Sequence, residues 1–178
     1  MTEERSVPGK TAVRPVVIGI GNDFRSDDRV GLVVVRTLRE HGQDHLAVIE
    51  HTGEPAGLLE AWEGAHTVIL VDAVVTGAKV GTVHRFDALA RIIPRGCFQC
   101  STHGFGVPEA VELGRAMGRL PRRLLLFGIE GGNFAPGRDL SEAVARAAPV
   151  AVAWIRREIA GRRRLHPDGE GGACTRRR

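Results

Sequence analysis

Cysteine is scarce: Cys97, Cys100 and Cys174 are the only three in 178 residues. Three thiols cannot build the paired framework that staples small secreted domains. Tyrosine is absent and aromatic residues make up 4% of the chain, leaving little to stack on nucleic-acid bases. No apolar run approaches the roughly 20 residues needed to span a bilayer. The opening MTEERSVPGK lacks the apolar centre of a signal peptide. Neither HExxH nor GxSxG occurs, which argues against zincin proteases and serine hydrolases. The expectation is a cytoplasmic enzyme or binding protein with no membrane attachment.

The charge is unevenly spread. The formal net charge is +4, but from Arg156 to Arg178 eight arginines face only Glu158, Asp168 and Glu170. The positive surplus therefore belongs to a tail, and the remainder is close to neutral. A nucleic-acid-binding face is not expected. A hydrophobic content of 43% suits one ordinary core. The chain divides into a flexible N-terminal tail at 1–14, a single α/β domain at 15–160 and a disordered Arg/Gly-rich tail at 161–178.

What is present starts with Val16 to Gly31, VVIGIGNDFRSDDRVG. The apolar run reads as a buried strand ending in a glycine turn, followed by a helix to about His41 that Ser26 or Asp27 can cap. Leu46–Glu50 reads as a second strand and Ala56–Trp62 as a short helix. Thr67–Val71 is unbroken and apolar, the mark of a central strand, and ends in Asp72. Val80–Phe86 alternates as a more exposed strand, antiparallel at an edge. A helix is expected around Pro108–Met117, a last strand over Arg123–Ile129, a flexible loop from Glu130 to Gly137 and a final helix from Leu140 to about Ile159. Alternating strands and helices make an α/β three-layer sandwich with a largely parallel sheet.

Two carboxylates, Asp27 and Asp28, follow the first turn, and one of them can be occupied in capping. The other, with Asp72 and with His103 from the loop before the last strand, can converge on one sheet edge. Two carboxylates and an imidazole suit a divalent ion such as Ni²⁺, Zn²⁺ or Mn²⁺, which polarises a carbonyl or activates water. Gly19-x-Gly21 also invites a dinucleotide reading, but Phe24 stands where the fingerprint needs a third glycine, and the acids would face phosphate. His41 and His45 are separated by Gly42 beyond the helix end, which disfavours a zinc pair. Cys97 and Cys100 lack the strand–helix context of a redox motif; a zinc role would need a fourth ligand.

Gly19-x-Gly21-Asn22, then Asp27-Asp28 and Gly31, resembles the hydrogenase maturation proteases. These endopeptidases trim the C-terminal extension of [NiFe]-hydrogenase large-subunit precursors. The likeness continues through Val68–Ala73, Ser101–Gly106, Phe127–Glu130, Pro136-Gly137 and Leu140-Ser141. It implies a phosphorylase/hydrolase-like fold with a mostly parallel five-stranded sheet, helices on both faces, and a monomer. It also implies that Asp28, Asp72 and His103 are the metal-binding and catalytic residues, with Asp27 a cap or supporting partner. Thr102 replaces the proline usual before the histidine, and Asp28 stands where glutamate is frequent. The expected cofactor is a divalent metal, nickel presented by the substrate; no separate cofactor-binding residues are expected. Two alternatives stand beside this: a nucleotide- or nucleic-acid-binding module using the Gly19–Gly21 turn and the basic tail, or a peptidyl-tRNA-hydrolase-like enzyme. The second lacks its Thr-Arg-His-Asn signature.

Overall fold

The computed structural model describes residues 14–42, 46–90 and 106–161. The expected tails at 1–14 and 161–178 fall outside this range, apart from Arg14 and Gly161. Five strands form one sheet: β1 Val16–Ile20, β2 Ala47–His51, β3 Thr67–Val74, β4 Val83–Asp87 and β5 Arg123–Glu130. Four α-helices flank it: α1 Val30–Glu40, α2 Pro55–Ala61, α3 Val107–Ala116 and α4 Glu142–Ala160. The spatial order is β2-β1-β3-β5-β4, with all pairs parallel except β4 with β5.

Alternation along the strands divides the core into two layers. Val17 and Val71 turn toward α1 and α4, meeting Val34, Leu38, Ala151 and Ile155. Ile18, Ile20, Leu70 and Val74 turn the other way, onto Leu58 and Trp62 beside α2 and Val111 on α3. Each large aliphatic side chain buried in this way stabilises the fold by roughly 1.5–3 kcal/mol. Right-handed crossovers explain which helix takes which face. The chain steps outward from β1 to β2 over α1, then back to β3 over α2. That reversal opens a crevice at the carboxyl ends of β1 and β3, the usual ligand position in such sheets.

The strand and helix pattern agrees with the expected sandwich, with three local differences. β3 runs two residues past Asp72, because Ala73 and Val74 remain buried and pair with Ile129 and Glu130. α1 is preceded by a 3-10 turn, Ser26–Arg29, and has no side-chain cap. The segment after β5 is tied down rather than loose: Ser26 N donates to Gly137 O and Gly137 N to Phe24 O, both at 2.9 Å. The antiparallel edge strand β4 is found as expected, beginning at Val83 after a turn in which Thr82 N donates to Lys79 O.

Close approach, rather than phosphate, accounts for the glycines of the first turn. A methyl on Gly19 would lie 2.3 Å from Gly31 O, and one on Gly31 would lie 2.2 Å from Ile20 O and 2.4 Å from Val71 O. β1, β3 and α1 therefore meet backbone to backbone. Gly31→Ala is expected to cost about 3 kcal/mol, the upper end of ordinary overpacking, because none of the opposing atoms is a movable side chain. Urea unfolding checks this; an unchanged midpoint would contradict it.

Candidate active site

Gly21 takes φ +152°, and a Cβ there would sit 2.0 Å from Asp28 O. The turn thus closes directly over the backbone of Asp28. Ser26 is the only described non-glycine residue with positive φ, at 40°. This strained residue begins the 3-10 turn and sends its two neighbours to different tasks. Asp27 is fully buried and Asp28 is 7% exposed.

Asp27 does not cap its own helix. One of its oxygens accepts from Gly132 N at 2.9 Å, Asn133 N at 2.8 Å and Ser141 Oγ at 3.0 Å. The other accepts from Ser141 N at 2.7 Å, at the start of α4. Asp27 is therefore the cross-link that fastens the β5–α4 segment to the first turn.

Asp28 is left differently. Among the described residues nothing donates a hydrogen bond to its carboxylate. Burial raises its pKa above the ordinary value, against the opposing charge of Arg25. Asp72, 8% exposed on β3, accepts from its own neighbour Ala73 N at 2.8 Å. Its pKa is raised well above normal, first by burial and then by the negative charge of Asp28, while the Ala73 contact pulls the other way. Two buried carboxylates that disfavour each other's ionisation are an unfavourable arrangement unless a proton or cation joins them. The donor set fits a hard or borderline divalent ion.

His103 lies outside the described residues, as do Cys97 and Cys100. Among the described residues no group of three or more His, Cys, Asp or Glu is arranged to hold a metal. The structure thus brings together two of the three expected site residues. His41 is exposed on the far end of α1, its Nδ1 2.6 Å from Thr37 O, and His45 lies outside the described residues.

Sequence reasoning missed Arg25. Its guanidinium contacts Phe134 O, through Nε at 3.4 Å and Nη2 at 3.3 Å, while its charge bears on Asp28. The one local signal was its position three residues before Asp28, the spacing of a 3-10 turn, where Asp28 N donates to Arg25 O at 2.9 Å.

A family model described as hydrogenase maturation protease matches residues 32–158, well over half of the chain. The chain belongs to the hydrogenase maturation proteases. As a member of that family it is a peptide-bond hydrolase, and the nucleotide-binding reading of the glycine turn falls away. The hydrogenase expression/formation protein HupD of Thiocapsa roseopersicina is 26% identical over 151 residues, covering 79% of this protease and 66% of HupD. The protease therefore spans just under two thirds of that relative. Among solved structures, the hydrogenase maturating endopeptidase HybD from E. coli superposes with a TM-score of 0.68 at 22% identity, covering 83% of this chain and 94% of HybD. Another endopeptidase from Escherichia coli gives 0.74 at 20% identity, covering 85% and 94%. At these identities the structural likeness shows the shared α/β fold. No helix among the described residues is long and apolar enough to cross a membrane.

Proposed function

We propose that this protease removes the C-terminal extension of a nickel-loaded [NiFe]-hydrogenase large-subunit precursor, with Asp28, Asp72 and His103 completing the coordination of the substrate's nickel. The observation that carries the reading is the buried pair Asp28 and Asp72, whose charges oppose each other at the carboxyl ends of β1 and β3. A cation delivered by the substrate removes that conflict and so marks the correct, metal-loaded precursor. When bound, the ion supplies Lewis acidity for the scissile carbonyl. The chain's own residues do the rest. Arg25 favours the ionised form of Asp28, and Ala73 N holds one oxygen of Asp72 so that the other is presented. The Asp27 cross-link holds the first turn rigid. The protein acts as a cytoplasmic monomer on this reading.

The test compares trimming of nickel-loaded precursor by wild type, Asp28→Ala and His103→Ala, followed by intact mass. Each variant is expected to be slower by at least about 10³-fold, the scale seen when an essential group is removed. Trimming at the wild-type rate by either variant would remove that residue from the site. Equilibrium dialysis of the isolated protease is expected to find no stoichiometric bound metal. A tightly held ion required for cleavage would make it a resident cofactor instead.

A further inference from the structure

Six large apolar side chains are exposed among the described residues: Phe24, Val75, Leu113, Met117, Val150 and Trp154. Four of them lie on the outward sides of α3 and α4 or, for Met117, just past the end of α3, where nothing indicates what covers them. Phe24 and Val75 are different. They stand on the segments leaving the carboxyl ends of β1 and β3; the first segment runs on into the 3-10 turn that carries Asp28, and β3 carries Asp72.

Phe24 is 60% exposed, yet its backbone is held on both sides. Its N–H donates to Asn22 Oδ1 at 2.9 Å, and its carbonyl accepts from Gly137 N at 2.9 Å. Arg25 and Gly137 form a parallel bridge beside it. The guanidinium of Arg138 lies over the ring, 4.7 Å from its centroid, while Arg138 O accepts from Arg29 Nη1. Arg138 has no acidic partner among the described residues. An aromatic residue whose backbone is already held, with an arginine over its ring, loses less freedom on binding, and both residue types are enriched where interfaces concentrate their energy.

We infer that Phe24 and Arg138 form the anchor on which the substrate protein docks, taking an apolar side chain flanked by a carboxylate. The ring offers apolar area, and the exposed guanidinium selects negative charge. The position, four residues before Asp28, lets one contact set the register of the polypeptide across the site. This inference rests on the proteolytic reading above and names the recognition element of the same site.

Cleavage kinetics and calorimetric binding of the nickel-loaded precursor test it together. Phe24→Ala is expected to raise KM by about 30-fold, the effect of losing one interface anchor, with kcat at saturation unchanged. Phe24→Trp is expected to restore wild-type KM, which a lost packing contact elsewhere would not allow. Arg138→Glu is expected to raise KM about 10-fold at low salt and less at high salt. Unfolding midpoints of all three should match wild type, because both side chains are exposed. If wild type cuts while Phe24→Ala and Arg138→Glu bind and cut as it does, the anchor is wrong and the proteolytic reading stands. If wild type binds through Phe24 but cuts nothing, the proteolytic reading fails and the docking surface survives.

Discussion

Asp72→Asn is expected to yield a protein that melts higher than wild type and cuts nothing. The catalytic half follows from the proposed site: an amide is a far poorer ligand than a carboxylate, so cleavage should fall by at least about 10³-fold. The stability half follows from linkage. The folded-state pKa of Asp72 lies above its ordinary value of 3.8, by burial and by the charge of Asp28. The native state therefore holds its proton more tightly than the unfolded chain does. Stability falls as pH rises through the unfolded value toward the folded one. Below the unfolded value the variant gains nothing; above it the gain grows as pH rises toward the folded-state value. The asparagine Oδ1 keeps the contact from Ala73 N. Thermal unfolding of metal-free protein at low and neutral pH measures this, with each kcal/mol recovered raising the midpoint by roughly 2–4 °C. A variant less stable than wild type at neutral pH would show that the carboxylate is not under the strain described.

Asp27, the acid beside Asp28, should behave in the opposite way. Asp27→Ala is expected to lose about 3 kcal/mol, seen as a midpoint lowered by roughly 10 °C, because it removes a fully buried acceptor and leaves four part-buried donors without it. Gly132 N, Asn133 N, Ser141 N and Ser141 Oγ all converge on this one carboxylate. Asp27→Asn should cost less, since one acceptor oxygen remains. If Asp27→Ala melts with wild type, water replaces the cross-link and the rigid turn is not its work. Together with Asp28→Ala, this substitution separates adjacent residues of identical chemistry into a structural acid and a functional one.

That separation shows where sequence reasoning reaches its limit. Two acids after a glycine turn suggest that one caps the helix and leaves the other available, but the helix has no side-chain cap and Asp27 is engaged elsewhere. The identity of the donors was hidden, since Gly132 and Ser141 lie far away in the chain. The end of β3 was misjudged for a related reason. A charged residue after an apolar run reads as a boundary, but pairing of Asp72 with Gly128 and Ala73 with Ile129 carries the strand onward. The antiparallel edge strand was legible because alternation between buried and exposed positions is local. His103 was legible only as a member of a pattern, and its placement lies outside the described residues.

The reach of the Asp27 cross-link, 105 residues to Gly132 and 114 to Ser141, bears on how the enzyme is made. At translation rates of about 5–20 residues per second, Asp27 waits roughly 5–20 s for its partners to leave the ribosome. Until then the loop that orients Asp28 has no fastening, whatever β1 and α1 have already formed. A nascent chain therefore cannot begin cutting before Ser141 has emerged, and the hydrolase is armed only when the segment from Gly132 to Ser141 has folded back onto the first turn.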